Sequence, residues 1–205
     1  MFDADMIFRI PALLIALTIH EYAHARAAVS LGDQTPRLYG RLTLNPVAHL
    51  DPLGLIMLWL FKFGWAKPVP INPGNFRNWR KGTIIVSLAG PLSNIAVAFL
   101  AAFSVALADN LGFQLNNAVE LTAGLIYRYN ILFAVFNLLP IPPLDGSKVL
   151  AGLLPVKYSG AFEQFEQYGP FLLIALVYLG WVSGFVQPIM TELSRLIMTI
   201  INVVL

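Results

Sequence analysis

A continuous apolar run over about residues 6–29 constrains the fold of this chain most strongly, because it is long enough to cross a lipid bilayer as a helix. Inside the run lies His20-Glu21-Tyr22-Ala23-His24, a His-Glu-x-x-His pattern. In a helix, His20 and His24 lie one turn apart on the same face, close enough to hold one metal ion. Ionisable residues at membrane depth are costly unless they have partners, so the pattern predicts a metal site inside the membrane.

Glu21 follows His20 directly and therefore lies about 100° further around the same helix. From there its carboxylate can reach a water on the metal without being a ligand itself, which is the arrangement of a general base in metal-assisted hydrolysis. Cleavage of this run as a secretory signal would remove the pattern, so we predict a retained transmembrane helix.

The composition is typical of a polytopic membrane protein. Of the 205 residues, 58% are hydrophobic and 12% are charged, and the mean hydropathy is +0.71. At about 20 residues per helix, this length allows roughly four to six membrane segments, short loops and no sizeable extramembrane domain. We therefore predict an all-α polytopic membrane protein in which residues 1–205 form one membrane-embedded domain.

The apolar runs predict four full spans and two less regular pieces. The predicted spans cover about residues 6–29, 83–108, 118–139 and 169–186. The tail, 188–205, is predicted to be either a fifth span or an interfacial helix. Residues 53–61 are too few to cross the bilayer, so this run should re-enter or lie at the interface. The prolines that follow predict an extended, β-like segment over 64–73, whose edge could pair with a peptide.

Polar residues inside the second and third spans need partners. Ala89-Gly90-Pro91 predicts close packing on another helix, and Asn94 either satisfies the backbone that the proline frees or contacts a substrate. Arg128, near the middle of the third span, requires a carboxylate or a water-lined cavity.

The distribution of basic residues predicts the orientation of the chain. Lys and Arg crowd the loops after the first span, before the second and after the third, whereas the loop between the second and third spans has neither. By the positive-inside rule, the N-terminus is outside and His20 and His24 lie in the cytoplasmic half of the first span. Membrane orientation also accounts for the net charge of +2, and we predict no nucleic-acid partner.

The third metal ligand must come from a carboxylate or from His49, because the chain has no cysteine. Asp33, Asp51 and His49 are predicted to lie in an aqueous loop. Asp145 follows the third span on irregular, proline-rich backbone in the same leaflet as the histidines, so depth favours Asp145. The predicted cofactor is one Zn²⁺ per chain.

At three places the chain resembles the site-2 protease family of intramembrane zinc metalloproteases. His20 to His24 match the first motif of the family, Ala89-Gly90-Pro91 with Asn94 is similar to the central motif, and residues 137–146 resemble its Asn-x-x-Pro-x-Pro-x-x-Asp-Gly motif. The three motifs occur in order over most of the chain. Larger members carry an extra N-terminal span, a PDZ domain or a nucleotide-sensing domain, so the expected relatives are the minimal prokaryotic branch.

The resemblance implies a role for each matched residue. His20, His24 and Asp145 would bind zinc, Glu21 would be catalytic, and Asn137 would lie beside the bound peptide, with Asn94 as a second candidate for substrate contact. The implied enzyme is a zinc endopeptidase that cleaves a substrate's single transmembrane helix near the cytoplasmic face of a prokaryotic cell membrane.

Two other functions are compatible with metal-binding residues in a membrane. A metal transporter would need a second set of ligands in the opposite leaflet. A non-catalytic protein with a structural zinc would need a fourth protein ligand, which His49 or another carboxylate could supply. The sequence predicts no oligomeric state.

Overall fold

Helices make up most of the computed structural model, which describes residues 6–54 and 66–205. The α-helices are α1 (Met6–Ser30), α2 (Thr35–Leu38), α3 (Trp79–Asn110), α4 (Asn117–Asn137), α5 (Asp145–Leu153), α6 (Ser159–Tyr178) and α7 (Trp181–Val204). Short 3-10 turns lie at Pro46–His49, Pro73–Asn75 and Val156–Tyr158. Within these described ranges the β-structure is limited to one isolated antiparallel bridge, between Leu50 and Ala66.

Three of these helices, α1, α3 and α4, are long and apolar enough to cross a membrane, and the number rises to four if the bent pair α6 and α7 counts as one span. The predicted all-α polytopic architecture is therefore confirmed. The predicted helix over 169–186 is wrong, because α6 ends at Tyr178 and α7 begins at Trp181 with a bend of 80°. Gly180 lies at the break. Its φ of +74° is left-handed, so the helix cannot continue through it, and glycine adopts this angle without strain.

Small residues let the three spanning helices approach one another closely. Ala12 and Ala16 of α1, Ala98 of α3 and Ala134 of α4 are fully buried, and each of these helices packs on the other two. In a membrane, where lipid is as apolar as leucine, such close van der Waals packing is what holds helices together. The α1–α3–α4 bundle is therefore a tight frame for any group that it encloses.

Helix α7 closes one side of this frame. Its buried residues Val186, Ile197 and Ile201 pack on Ala98 of α3 and on Ile131 and Val135 of α4. The predicted tail segment, 188–205, belongs to α7.

The segment between α1 and α3 that was predicted to be extended contains no helix over residues 66–72. It begins at the bridge between Ala66 and Leu50. Residues 55–65 lie outside the described ranges, so the predicted re-entrant run over 53–61 is described only at Leu53 and Gly54.

Candidate metal centre

The side chains of His20, His24 and Asp145 meet at one point in the bundle. Nε2 of His20 lies 3.1 Å from Oδ2 of Asp145, and Nε2 of His24 lies 3.0 Å from the same oxygen. The two Nε2 atoms are 3.0 Å apart. All three residues are buried, and within residues 6–54 and 66–205 they are the one group of three such side chains that could hold a metal ion.

The other nitrogen of each ring is held by α3. Nδ1 of His24 donates to the carbonyl oxygen of Val86 at 2.7 Å, and Nδ1 of His20 lies 2.7 Å from Oδ1 of Asn94. A neutral imidazole carries one hydrogen, and in both rings that hydrogen is on Nδ1. Both Nε2 atoms therefore present lone pairs to the common point, where the Asp145 carboxylate adds a third.

Three lone pairs in van der Waals range of one another repel unless a cation lies between them. Two nitrogens and one oxygen are donors that suit Zn²⁺, and three protein ligands with a fourth position open is the pattern of a catalytic zinc site. Donors bound to a tetrahedral zinc are roughly 3.3 Å apart, close to the separations found here. The residues present therefore fit zinc.

The loop between α4 and α5 delivers Asp145 to the histidines. Pro140, Pro142 and Pro143 prevent α4 from continuing, and Gly146 fits directly against the carbonyl of Leu138, where a side chain would clash. Helix α5 then begins at Asp145 itself.

Lys148 lies one helical turn after Asp145 in α5 and contacts its carboxylate. Its Nζ lies 3.4 Å from Oδ1 of Asp145, so the opposite oxygen, Oδ2, faces the imidazoles.

Glu21 borders a cavity of about 120 Å³ that opens onto the metal-binding group. Its Oε2 accepts a hydrogen bond from the backbone N–H of Val69 at 3.1 Å. Glu21 is not one of the three converging side chains. Asn137 also borders this cavity, and its Nδ2 donates to the carbonyl of Phe133 at 3.0 Å.

The extended segment 66–72 forms one wall of the cavity through Pro68, Val69 and Ile71. Its carbonyls at Lys67 and Pro68 accept from the guanidinium of Arg41, which is itself buried.

Asp33, just beyond α1, fixes the far end of the same segment. Its fully buried carboxylate accepts from the backbone N–H of Asn72 at 2.8 Å, from Nδ2 of Asn75 at 2.7 Å and from both the N–H and the hydroxyl of Thr35. Burial alone would raise the pKa of the Asp33 carboxyl, but these hydrogen bonds outweigh it and hold the pKa below its ordinary value.

The other ligand candidates from the sequence have partners elsewhere. Nε2 of His49 lies 2.9 Å from the carbonyl of Thr43, and Asp51 accepts from the N–H groups of Leu53 and Gly54. Asp33 bonds to the segment described above. None of the three belongs to the metal-binding group, which is therefore not closed by a fourth ligand from the described residues.

Asn94, in the second span, is fully buried and contacts His20. Asn130 is also fully buried and contacts Asn94, whereas Arg128 is exposed on the opposite side of α4. No role for Asn130, Val86 or Lys148 was predicted from the sequence. For Asn130 a signal was present, because an amide inside an apolar span needs a partner.

Membrane-embedded zinc metalloproteases are the class that this fold and this set of donors define. The family model described as Peptidase family M50 matches residues 112–180. The chain is 37% identical over 175 residues to YwhC of Bacillus subtilis (strain 168) and 34% identical over 185 residues to Rip2 of Mycobacterium tuberculosis (strain H37Rv), both named "Putative zinc metalloprotease".

These alignments cover 83% of the chain and 80% of YwhC, and 84% of the chain and 69% of Rip2. No solved structure gives a significant match. The chain therefore belongs to peptidase family M50, the site-2 protease family, and is a zinc metalloprotease of the membrane.

Proposed function

We propose that this protein is an intramembrane endopeptidase that cleaves a transmembrane segment of another membrane protein near the cytoplasmic face. The observation that carries the proposal is the position of the metal-binding group. It is enclosed by three helices that are apolar enough to span a membrane, and Glu21 lies on the wall of the adjoining cavity. The peptide bonds of a soluble protein could not reach such a site unless that protein entered the bilayer.

The charge distribution supports the orientation in this proposal. His24 lies six residues before the end of α1, which corresponds to about 9 Å along the helix axis. The loop that follows α1 is basic and the loop between α3 and α4 carries no Lys or Arg, so the metal-binding group belongs to the cytoplasmic leaflet. Water can enter from that side along the non-helical walls of the cavity.

In this mechanism His20, His24 and Asp145 hold the zinc. Zinc, when bound, supplies Lewis-acid chemistry that acidifies a water and polarises the scissile carbonyl. Glu21 accepts the proton of the attacking water and passes it to the leaving amine. The N–H of Val69, bonded to Oε2, keeps the Glu21 carboxylate oriented between these two transfers.

A transmembrane substrate must unwind locally before its backbone can be attacked, because helical N–H and C=O groups are already paired. We assign segment 66–72 as the edge along which the unwound substrate lies, since it is extended and borders the cavity. Asn137 also borders the cavity and is assigned to the bound peptide. Its amide would exchange its bond to Phe133 for one to the substrate.

The experiment uses the purified protein loaded with zinc in detergent or proteoliposomes, with a single-span membrane protein as the substrate. Glu21→Gln should retain zinc and lose cleavage, whereas His24→Ala should lose both. Substrates with Gly or Pro in the span should be cut faster than leucine-rich ones, because they unwind at lower cost.

Full cleavage by Glu21→Gln would remove Glu21 from the mechanism. Equal cleavage of stiff and helix-broken substrates would contradict local unwinding. Zinc movement across proteoliposomes that persists in Glu21→Gln, without cleavage by the wild type, would favour the transporter instead.

A further inference from the structure

A chain of buried amides connects α4 to the metal-binding group through α3. Nδ2 of Asn130 donates to the carbonyl of Ile126 at 2.8 Å. Nδ2 of Asn94 donates to Oδ1 of Asn130 at 2.7 Å and to the carbonyl of Ala16 at 2.9 Å. Oδ1 of Asn94 then lies 2.7 Å from Nδ1 of His20. Asn94 and Asn130 are both fully buried.

Backbone carbonyls fix the direction of every bond in this chain. A carbonyl oxygen can only accept, so the atom of Asn130 that faces Ile126 must be the nitrogen, and its oxygen must face Asn94. The same reasoning at Ala16 requires the nitrogen of Asn94 to face that carbonyl. The oxygen of Asn94 therefore faces His20, and Nδ1 of His20 has to be the donor.

We propose that Asn130 is a positioning residue for the zinc site. Through Asn94 it keeps the hydrogen of His20 on Nδ1 and leaves Nε2 free to bind the metal. The inference rests on the proposed role of His20 as a ligand and concerns the residue behind it. Asn130 lies one contact beyond Asn94 and is not among the residues that border the cavity.

The physical reason is that Asn130 supplies the second of two acceptors that hold the nitrogen of Asn94 in one orientation. If the amide of Asn94 were turned by 180°, its oxygen would face two acceptors, Ala16 O and Asn130 Oδ1, and its nitrogen would face His20. His20 would then carry its hydrogen on Nε2, and that nitrogen would have no lone pair with which to bind a metal. Without the Asn130 oxygen, only Ala16 opposes that turn, and one buried N–H of Asn94 is left without a partner.

The first test measures the zinc dissociation constant of the metal-free protein by competition with a chromophoric chelator. Asn130→Leu, which is similar in size and has no acceptor, should bind zinc more weakly, by up to the roughly 10–100-fold that loss of a ligand's direct hydrogen-bond partner causes. Asn130→Asp keeps an acceptor towards Asn94 and, as the protonated carboxyl, an O–H that can donate to the carbonyl of Ile126, so it should restore wild-type affinity. Val135→Ala is the matched control, because Val135 is buried on the same helix, belongs to the apolar cluster that includes Val186 and Ile197 of α7, and makes none of the hydrogen bonds in this chain.

A second measurement identifies the metal-bound nitrogen directly, in the wild type and in Asn130→Leu. With ¹¹³Cd²⁺ in place of zinc and ¹⁵N-labelled histidine, the scalar coupling identifies the nitrogen that binds the metal. We expect coupling to Nε2 of both His20 and His24, and loss of the His20 coupling in Asn130→Leu.

Three results would overturn the inference while leaving the proposed function intact. The first is unchanged zinc affinity in Asn130→Leu, and the second is coupling through Nδ1 of His20 in the wild type. The third is a loss of affinity in Asn130→Asp as large as in Asn130→Leu. Failure of the proposed function would give a different result: wild-type protein that binds zinc but cuts no membrane substrate.

Discussion

Gly90 of α3 lies directly against the ring of His24: a methyl group built on Gly90 would be 2.5 Å from Nε2 of that histidine. It would also be 2.7 Å from Nε2 of His20. Both contacts are far inside van der Waals range, so hydrogen is the largest substituent that position 90 accepts while the imidazoles converge. This contact explains why a glycine occupies the middle of a membrane helix, where it would otherwise weaken the helix.

We expect Gly90→Ala to displace the imidazoles and to weaken zinc binding by about fivefold to 150-fold, because overpacking of this kind costs about 1–3 kcal/mol. Zinc content after equilibration with a chelator measures the effect. Gly124→Ala is the matched control, since Gly124 is also helical and has open space around it. Equal zinc binding by the two variants would show that the backbone of α3 can move away from the rings.

Zinc should stabilise the folded protein, because the three converging lone pairs of His20, His24 and Asp145 repel one another without a cation. A hundredfold excess over the dissociation constant corresponds to about 2.7 kcal/mol of stabilisation. Thermal unfolding in detergent, with zinc and with a chelator, measures it. The shift should persist in Glu21→Gln and disappear in Asp145→Ala; a shift that survives in Asp145→Ala would place the stabilising zinc elsewhere.

Val69→Pro removes the N–H that donates to Glu21, while its side chain stays apolar. A hydrogen bond to a charged group contributes about 1.5–3 kcal/mol, so we expect cleavage to slow by about tenfold to a hundredfold with zinc affinity unchanged. Val69→Ala keeps the N–H and shortens the side chain, and it should cleave at nearly the wild-type rate. If Val69→Ala slows as much as Val69→Pro, the side chain rather than the N–H matters.

Asp33 should make the protein sensitive to acid. Because its folded pKa lies below the ordinary value of 3.8, its contribution to stability is complete above that value and is lost as the pH falls through the folded pKa. Asp33→Asn should lower the free energy of unfolding by about 1–3 kcal/mol at neutral pH, since one acceptor is lost. The difference from the wild type should shrink as the pH is lowered below 3.8.

Chemical or thermal unfolding at several pH values checks this. Asp51→Asn is the control, because Asp51 uses a single oxygen to accept from two N–H groups and asparagine does this equally well. A difference between wild type and Asp33→Asn that stays constant down to low pH would contradict the assignment.

The absence of cysteine from the chain allows the orientation to be tested with single introduced thiols. Phe113→Cys, in the loop between α3 and α4, should react with an impermeant maleimide from outside the cell. Arg77→Cys, before α3, should react only after permeabilisation. Both positions are exposed, so the opposite labelling pattern would place the metal centre in the outer leaflet.

The convergence of His20, His24 and Asp145 could be predicted from side-chain chemistry, because ionisable groups in apolar surroundings are rare and the spacing of the two histidines follows from the helix. The N–H of Val69 and the carbonyl of Val86 could not be found, because every residue has these groups and only packing decides which of them meet Glu21 and His24. Asn130 was visible as a polar residue in a span, but its partner depends on how α4 lies against α3.

The helix break at Gly180 shows a similar limit for the fold. Glycine is common inside membrane helices, so a glycine in the apolar run over 169–186 did not indicate whether the helix would continue. Its left-handed φ of +74° decides the matter, and that angle reflects the turn between α6 and α7. The three earlier helices were predictable because long apolar runs in a bilayer have little choice except to pair their backbone groups internally.

The hydrogen bond from His24 to the carbonyl of Val86 has a consequence for how this enzyme can change over time. Mutation replaces side chains, but it cannot delete an oxygen from the main chain. The path of α3, rather than the side chain at residue 86, therefore decides that His24 presents Nε2 to the metal centre. Substitutions at residue 86 can alter the packing of the bundle and still leave the carbonyl that accepts from Nδ1 of His24 in place.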